Sequence, residues 1–383
     1  MKLIVDTKAL KDAMGIAGRV VPVKTVWPIL TNIKFVANDD RVTLIGSDGD
    51  MTFEADVPAE IETEGEVCVP FASLSKFMGA AKSEMVKISD DGKAVKAQAG
   101  RSSIALSPSN LGDYPNYRPI DGDPVVLDVP TFCHALRFCA AAVQDSEVKF
   151  HIAGPNISEG AGELHVWGTD GQSAHHAILS EIDEIGGGGT LPIAAAQVVL
   201  AVAEKVEAMR FMINERGWFL DAGSVRVWGK VIDSPFPDMA KVEERFTDWQ
   251  DVLHAPNDDL ANAISVATCG SETDTEKSSS LILRAYSGQP VVLRGRKSSI
   301  GVVQAGRAEI DVEAQCDGCG VASARLLTSA LSGLKADDVS LSMSLEDGFA
   351  QAVTLKPSQR NANLQLSALI LAQRASQAEV ADV

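Results

Sequence analysis

The sequence is poor in aromatic residues, in basic charge and in long apolar runs. Aromatic residues make up 5% of the 383 positions, and 34 lysines and arginines are outnumbered by 52 aspartates and glutamates, giving a net charge of −18. This balance excludes a surface that is basic throughout, although it allows a local basic patch. No stretch of eighteen apolar residues occurs, so we expect no membrane association. The N-terminal residues form a short strand pattern without the apolar core of a signal peptide, which favours a cytoplasmic protein.

Cysteine is also scarce, and its spacing does not fit a metal site. Among the six cysteines, Cys316 and Cys319 form a lone CxxC pattern without a second pair or a nearby histidine pair. A zinc site needs four ligands, so a turn explains this pattern better than metal binding or redox chemistry. Signatures of a P-loop, a nucleophile elbow, an HExxH zinc site and a dinucleotide-binding loop are missing as well. We therefore predict that the chain is not an enzyme and needs no cofactor or metal.

Two groups of residues could still be interpreted as an active site. Asp48 and Asp170 could act as paired carboxylates, but each precedes a glycine in a tight-turn pattern, where Asp-Gly has a structural use. His175 and His176 could bind a metal, but neighbouring residues of a strand point to opposite faces. An enzyme is therefore the weaker alternative.

Several short patterns recur after about 125 residues, which is the length of a domain rather than of a solenoid unit. Gly46 ends an apolar strand pattern before an Asp-Gly turn, and Gly168 does the same 122 positions later. A Tyr-Pro pattern at Tyr114 and a Phe-Pro pattern at Phe236 are separated by the same distance. Equivalent hairpin turns are expected at Gly92, Gly217 and Gly348. The sequence therefore predicts three copies of one domain.

Helix patterns recur in the same order in each copy. We predict helices over residues 7–19, 71–82, 131–143, 193–205, 257–268 and 322–335. Each copy then consists of a strand, a helix, strands, a second helix and further strands, which indicates an α+β domain with two helices packed on antiparallel sheets. The expected domains are 1–123, 124–251 and 252–374, followed by an acidic, polar tail at 375–383 that we expect to be disordered.

Charge is distributed unevenly between these elements. The six predicted helices contain nine basic and four acidic residues, so they carry +5 while the rest of the chain carries −23. Lysine and arginine are good helix formers, but glutamate is equally good and occurs only once in these helices. Basic helices with acidic sheets and loops suit a protein that surrounds DNA and holds its phosphates without reading the base sequence.

Three short segments together resemble the beta sliding clamp of bacterial DNA polymerase III. Residues 27–32 (Trp-Pro-Ile-Leu-Thr-Asn) are similar to an L-P-I-L-x-N segment of that family, residues 169–171 to the start of its T-D-G-H-R-L segment, and residues 236–238 to its F-P-D-Y segment. Each motif alone is short. Their order and spacing within a threefold repeat make the match specific, and it extends over nearly the whole chain.

The resemblance implies a ring-shaped DNA sliding clamp that has no chemistry of its own. Two copies would join head to tail, so that six similar domains line a central hole with helices and cover the outside with sheets. Such a homodimer encircles double-stranded DNA without sequence specificity and tethers the replicative DNA polymerase for processive synthesis. A clamp loader complex opens the ring, and other proteins dock through clamp-binding peptides.

The resemblance also implies two sets of binding residues. The DNA-binding set comprises Lys24, Ser146, Lys149, Phe150 and His151, and the helices add Lys76, Arg137 and Lys205. The partner-peptide pocket, expected between the second and third domains, comprises Ile152, Thr169, Gly171, Gln172, Ser173, Ala174, Pro237, Lys241, Val242, Leu369, Ile370, Leu371 and Ala372.

The chain departs from the family pattern at the pocket and at its C-terminal end. Gln172, Ser173 and Ala174 stand where the family has His-Arg-Leu, and Lys241 replaces an arginine. A smaller side chain at Ala174 and a changed polar wall should alter the peptide preference. An alternative therefore stays open, in which the protein is a clamp-like decoy or a specialised variant with altered partner specificity. The polar stretch 271–280 has no function that the sequence indicates.

Overall fold

The order of elements repeats three times in the computed structural model, which describes residues 1–144, 148–270, 280–295, 305–359 and 361–373. The first copy contains β1 (Lys2–Asp6), α1 (Thr7–Ala17), β2 (Asn32–Asn38), β3 (Arg41–Ser47), β4 (Met51–Thr63), β5 (Gly65–Pro70), α2 (Phe71–Ala80), β6 (Met85–Asp90), β7 (Val95–Ala99) and β8 (Ser102–Leu106). The second contains β9 (Val125–Leu127), α3 (Val129–Ala140), β10 (Asn156–Gly160), β11 (Glu163–Thr169), β12 (Ser173–Ser180), β13 (Gly188–Thr190), α4 (Ile193–Ala203), β14 (Met209–Asn214), β15 (Gly217–Asp221) and β16 (Val225–Gly229).

The third copy follows a short helix, α5 (Met239–Glu243). It contains β17 (Trp249–Pro256), α6 (Asn257–Ala267), β18 (Ser280–Ala285), β19 (Pro290–Gly295), β20 (Arg307–Glu313), β21 (Gly318–Ser323), α7 (Ala324–Leu334), β22 (Asp338–Glu346), β23 (Phe349–Pro357) and β24 (Leu364–Leu371). Every copy has the order strand, helix, four strands, helix, three strands. The predicted α+β class with two helices per copy is confirmed.

All six predicted helices are present, and local capping explains where several of them begin. The carboxylate of Asp6 accepts a hydrogen bond from the backbone N–H of Ala9 and starts α1 at Thr7. Ser323 caps α7 in the same way through the N–H of Leu326, so residues 322 and 323 belong to the preceding strand rather than to the helix. Proline is well tolerated in the first turn of a helix, which allows α3 to begin before Pro130, two residues earlier than predicted.

The chain forms two compact units, which divide the second copy between them. Unit 1 consists of residues 1–129 and 183–231, and unit 2 consists of the described residues of 130–182 and 232–383. Strands β9 and β14–β16 thus belong to unit 1, whereas β10–β12 belong to unit 2. The domain boundaries proposed from the sequence stay predictions, and the first three residues of β17 precede the boundary placed at 251/252.

One long strand holds the sheet of unit 1 together. The strands follow the order β8-β7-β6-β1-β4-β16-β15-β14-β9, and β3, β2 and β5 branch from β4. The 13 residues of β4 are long enough to pair with two strands in succession on one side: Ala59 lies opposite Val5 of β1, and Ala55 lies opposite Val225 of β16. Fully buried Phe53 of this strand belongs to the core.

The sheet of unit 2 depends on pairing between strands that are far apart in sequence. Its order is β10-β11-β12-β24-β23-β21-β18-β19-β20, and β22 and β17 branch from β23. Strand β12 pairs with the C-terminal strand β24 from Ser173, opposite Ile370, to Leu179, opposite Leu364. This register places the turn between β11 and β12 beside residues 369–371. Within the described ranges, no helix has the length and apolar character that crossing a bilayer requires.

The repeated glycines Gly46 and Gly168 are positions where strands pass close to other chain segments. A Cβ atom on Gly168 would lie 1.8 Å from the carbonyl oxygen of Cys139, which is a backbone atom and cannot rotate away. A Cβ on Gly46 would lie 2.6 Å from a methyl group of Val21, a side-chain contact that can adjust. The sequence pattern marked these glycines through the turn that follows them, but close packing explains why no side chain fits.

We expect Gly168→Ala to destabilise the protein by about 2–3 kcal/mol, because the new methyl group overlaps a fixed carbonyl. Gly79→Ala is the matched control: it lies in α2 with no heavy atom within 4 Å of the added Cβ. Alanine at this helical position should raise stability by about 0.5–1 kcal/mol. Thermal denaturation of the two variants measures the difference, and equal midpoints would contradict the packing argument.

Candidate binding site

The turn between β11 and β12 is fixed by its own side chains. The Asp170 carboxylate accepts hydrogen bonds from the backbone N–H groups of Gln172 and Ser173, both at 2.8 Å. The hydroxyl of Thr169 donates to the carbonyl of Ser173 at 2.6 Å, and Gly171 adopts a φ of 85°, which favours glycine. The other carboxylate oxygen of Asp170 lies 3.6 Å from Arg325 of α7. The turn therefore presents residues 171–174 in one conformation.

The equivalent turn of the first copy has the same arrangement. The Asp48 carboxylate accepts hydrogen bonds from the N–H groups of Asp50 and Met51, at 2.8 and 2.7 Å. Both aspartates thus use a carboxylate oxygen to hold a turn, as the Asp-Gly pattern predicts. This geometry disfavours the alternative in which they form a catalytic pair.

A second wall comes from α5 and the residues before it. The Asp238 carboxylate accepts a hydrogen bond from the N–H of Lys241 and so caps the helix, while the Lys241 ammonium lies 2.8 Å from its other oxygen. This ion pair raises the pKa of Lys241 and lowers the pKa of Asp238. Met239 and Val242, one helical turn apart, point the other way and contact an apolar cluster that includes Ala174 and Leu369.

The two walls and strand β24 enclose a cavity of about 340 Å³ within unit 2. It is lined by Lys149, His151, Ile152, Thr169, Gly171, Gln172, Ser173, Ala174, Pro237, Met239, Val242, Arg245, Leu369 and Leu371. The side chains of its walls are mainly apolar, and the basic residues Lys149 and Arg245 contribute to its edge. A cavity of this size and character can hold a few side chains of a peptide or a small apolar ligand.

Ten of the thirteen residues predicted for the peptide pocket line this cavity, and three do not. Lys241 points away because Asp238 holds its ammonium group on the exposed side of α5. Ile370 is fully buried, since it alternates with Leu369 and Leu371 along β24 and faces the opposite side of the sheet. Ala372 lines a different, smaller cavity of about 160 Å³. Lys241, Ile370 and Ala372 therefore do not line this cavity, and the peptide pocket itself stays a prediction.

The sequence did not indicate four residues of this lining as pocket residues. Met239 and Arg245 follow the Phe-Pro-Asp motif, and the spacing of Met239 and Val242 would have placed both on one helical face had the short helix α5 been predicted. Lys149 and His151 were assigned to DNA instead. The ammonium group of Lys149 donates to the carbonyl of Asp170 at 3.1 Å, which draws this side chain towards the cavity.

The other predicted DNA-binding residues lie on separate surface elements. Lys24 is exposed in the segment after α1, and Lys76 is exposed on α2. Lys205 follows α4 and donates to the carbonyl of Asp12 on α1 at 3.2 Å. Arg137 is partly buried on α3, Phe150 is 55% exposed beside Lys149, and Ser146 lies outside the described residues. The assignment of these residues to DNA stays a prediction.

The CxxC segment lies before β21, as a turn interpretation requires. Cys319 is buried at the second position of that strand, and Cys316 is partly exposed in the bend that precedes it. Burial raises the pKa of both thiols above the ordinary value, which makes them less reactive at neutral pH.

The two adjacent histidines of β12 point to opposite faces, as predicted. His175 is buried and its Nδ1 lies 2.7 Å from the carbonyl oxygen of Phe138. His176 stacks on the indole of Trp167 with ring centroids 3.5 Å apart, and its Nε2 lies 3.1 Å from Nδ1 of His165, a hydrogen bond in which one ring N–H donates to the unprotonated nitrogen of the other ring. Burial, followed by the neighbouring His165 and Lys356, lowers the pKa of His176 from 6.5 to about 3.

We expect this stack to make stability fall in weak acid. The unfolded chain binds a proton at His176 near pH 6.5, whereas the folded chain resists protonation until about pH 3. Stability is therefore complete above pH 6.5 and is lost as the pH falls towards 3. Between pH 7 and pH 5, wild type should lose on the order of 1–2 kcal/mol more than His176→Gln.

Thermal midpoints measured across this pH range test the effect. His254→Gln, which replaces an exposed histidine of β17, is the control and should follow the wild-type curve. Parallel curves for wild type and His176→Gln would show that the stacked imidazole contributes nothing to the pH dependence.

Comparison with known proteins shows which proteins this chain is similar to. Residues 1–118 match the family model for the N-terminal domain of the DNA polymerase III beta subunit. The Beta sliding clamp of Caulobacter vibrioides is 28% identical over 336 residues, covering 83% of this chain and 86% of the relative. That of Bacillus subtilis is 23% identical over 252 residues, covering 62% and 66%.

Solved structures of sliding clamps superpose on nearly the full length of this chain. A crystal structure of the C. crescentus beta sliding clamp superposes with a TM-score of 0.85 at 23% identity and covers 98% of this chain and 99% of that chain. A DNA polymerase sliding clamp from Bacillus subtilis gives a TM-score of 0.87 at 18% identity, with 98% and 100% covered. These structures establish the fold. Residues 1–118 thus match the N-terminal domain of the DNA polymerase III beta subunit, and the chain as a whole is similar in sequence and fold to bacterial beta sliding clamps.

Proposed function

We propose that the protein is a DNA sliding clamp that forms a dimeric ring around duplex DNA and tethers the replicative polymerase. The observation that carries this proposal is the threefold repeat of one α+β unit, together with a fold shared with solved clamps over 98% of the chain. The family is one of polymerase subunits that act in processivity, so the proposed role is binding rather than catalysis. A cytoplasmic location and a clamp loader as a further partner belong to the same proposal.

Two open sheet edges support assembly into a ring. Strand β8 ends the sheet of unit 1, and β20 ends the sheet of unit 2. An edge strand offers unpaired backbone groups to another strand. On β20, exposed Arg307 already pairs with Glu309, and Asp311 and Glu313 are exposed as well, whereas Arg101 is exposed next to β8. Pairing β8 of one protomer with β20 of the next would therefore join opposite charges in a head-to-tail contact.

We expect the native protein to have a mass near twice 40.5 kDa, and Ser103→Pro to lower it. The hairpin between β7 and β8 pairs Ala99 with Ser102 around a two-residue turn. By the alternation of antiparallel pairs, the N–H of Ser103 then points away from β7. Proline there removes a donor of the open edge and leaves the hairpin bonds intact.

Sedimentation or light scattering gives these masses, and Ser103→Ala is the control because it keeps the N–H group. A wild-type protein that is monomeric at all concentrations would contradict the ring, whereas loss of the dimer in both variants would point to the hydroxyl instead of the edge.

The cavity of unit 2 supports docking of partner peptides. Its apolar walls can receive two or three apolar side chains of a short segment, while Lys149 and Arg245 contribute positive charge at the edge. Ala174, which is smaller than the leucine of the family pattern, lies in one wall and leaves more room there. The protein should therefore accept clamp-binding peptides with a preference of its own.

We expect Leu371→Ala to weaken the binding of such a peptide by about tenfold, because truncation removes apolar contact at the cavity wall. Leu371 is already 38% exposed, so folding should be little affected. The probe is a fluorescein-labelled peptide from the clamp-binding segment of a bacterial replicative polymerase, titrated by fluorescence anisotropy.

Val126→Ala is the matched control, since this valine of β9 is 67% exposed and belongs to unit 1. If Leu371→Ala and wild type bound the peptide with equal affinity, the cavity would be excluded as the docking site. A dimeric wild type that fails to bind the peptide would favour the alternative of a decoy or specialised variant, which the changed residues Gln172, Ser173 and Ala174 motivate.

A further inference from the structure

The turn that forms one wall of the cavity of unit 2 has a close counterpart in unit 1. Gly49 adopts a φ of 99° and Gly171 a φ of 85°. The N–H of Gly49 donates to the hydroxyl of Ser47 at 3.1 Å, and the N–H of Gly171 donates to the hydroxyl of Thr169 at 3.0 Å. The two turns therefore share one conformation, 122 positions apart in the sequence.

The strand beside each turn runs in the same register. Thr52 lies opposite Trp228 of β16 in unit 1, just as Ala174 lies opposite Leu369 of β24 in unit 2. This register fixes which face of the sheet each side chain occupies. Trp228 therefore stands where Leu369 stands in the cavity wall, and its larger side chain is only 5% exposed.

A 3-10 turn supplies another pair of equivalent residues. The N–H of Leu30 donates to the carbonyl of Trp27 at 2.9 Å, and the N–H of Ile152 donates to the carbonyl of Lys149 at 3.0 Å. Trp27 and Lys149 each directly precede their turn, Pro28–Thr31 in unit 1 and Phe150–Ile152 in unit 2. Leu30 and Ile152 are both buried, so the main difference is a tryptophan in the place of a lysine.

The segment that carries the aromatic-proline pattern adds a further pair. Tyr117 lies three residues after Tyr114, and Met239 lies three residues after Phe236. Met239 lines the cavity of unit 2, where an unbranched, flexible side chain can adjust to a ligand. The rigid ring of Tyr117 occupies the corresponding place in unit 1 and is half-buried.

The space above the turn is filled in unit 1 and more open in unit 2. A Cβ atom built on Gly49 would lie 3.8 Å from the hydroxyl of Tyr117 and 3.9 Å from the indole of Trp27. A Cβ atom built on Gly171 would have one neighbour within 4 Å among the described residues, the ammonium group of Lys149 at 3.3 Å. Two rings of the chain itself thus cover the first turn, whereas the flexible end of a lysine reaches the second.

The rim beside the first turn also differs from that of the cavity. The N–H of Leu371 donates to the carbonyl of Gln172 at 2.9 Å, and in unit 1 the N–H of Lys230 donates to the carbonyl of Asp50 at the same distance. The Lys230 ammonium lies 2.9 Å from the Asp50 carboxylate as well. An exposed ion pair therefore stands where the cavity of unit 2 presents an apolar leucine.

Hydrogen bonding does not explain the tryptophan at position 228. Its indole N–H is shielded from water and has no acceptor in the described part of the chain. A leucine, as at the equivalent position of unit 2, would cover the sheet without leaving a buried donor unpaired. The property that distinguishes Trp228 from Leu369 is therefore the volume that it fills.

We propose that Trp27, Tyr117 and Trp228 close a second docking cavity in unit 1 and so limit the protein to one partner peptide per protomer. This inference rests on the proposed function, because it concerns where the peptides that dock in unit 2 can bind. The backbone framework of the cavity is present twice. Packing of a core alone does not account for the closing residues, since Trp27 is 58% exposed.

The test exchanges the three closing residues for their counterparts in the full-length variant Trp27→Lys, Tyr117→Met, Trp228→Leu. The probe is an unlabelled peptide from the clamp-binding segment of a bacterial replicative polymerase, titrated by isothermal titration calorimetry. Wild type should bind one peptide per protomer and the triple variant two, because both sites then present open apolar walls. The second site should be about tenfold weaker, since Lys230 stands there in the place of Leu371.

Two controls separate the opening of a cavity from general loosening. Trp228→Phe keeps an aromatic ring at the site and should bind one peptide. Adding Leu371→Ala to the triple variant should weaken the site of unit 2 about tenfold and leave the other unchanged. Thermal denaturation shows whether each variant is folded. If the triple variant is unfolded, Trp27→Lys, Tyr117→Met replaces it, because both side chains are partly exposed, and should bind a second peptide more weakly.

The possible outcomes distinguish the closure from the docking on which it rests. A folded triple variant that binds one peptide, or a wild type that already binds two, overturns the closure and leaves docking in unit 2 standing. A second peptide on Trp228→Phe also overturns it, because the ring is then still present. A wild type that binds no peptide contradicts the docking proposed for unit 2 itself.

Discussion

Antiparallel pairing between β12 and β24 is the constraint on which the second unit depends. It joins strands separated by almost two hundred positions, and it runs from Ser173 opposite Ile370 to Leu179 opposite Leu364. The cavity follows from this register, because only here do the Asp170 turn and Leu369 become neighbours. A shift by one residue would bury Leu369 and Leu371 on the wrong side of the sheet and would leave Ile370 facing the cavity.

Much of this architecture rests on backbone groups rather than on particular side chains. Sheet ladders need an apolar residue at alternate positions but tolerate many substitutions among such residues. This tolerance explains how the chain can share its fold with the C. crescentus clamp, at a TM-score of 0.85, while only 23% of the residues are identical. Positions where backbone approaches backbone are less tolerant. Gly168 leaves no room for a Cβ, and the Asp170 turn needs both its carboxylate and the positive φ of Gly171.

The sequence was most informative about the long helices, where buried apolar residues recur with a regular spacing. Apolar spacing located all six long helices, because a stripe of buried residues such as Leu326, Leu327, Ala330, Leu331 and Leu334 has a clear period. It did not reveal α5, whose five residues are too few to show a period, and so Met239 was missed. The alternation that turns Ile370 away from the cavity could be predicted only once the register of β24 was known. Motif matching supplied ten cavity residues, but it could not tell that Asp238 holds Lys241 outside.

The middle copy of the repeat has no sheet of its own. Its strands β14–β16 continue the sheet of the first copy through β4, and β10–β12 continue the sheet of the third copy through β24. A fragment made of the middle copy alone would expose two hydrogen-bonding edges at once, and such edges favour aggregation. The copies are therefore not interchangeable modules. Recombination that replaced the middle copy would have to preserve its strand pairing with β4 on one side and with β24 on the other.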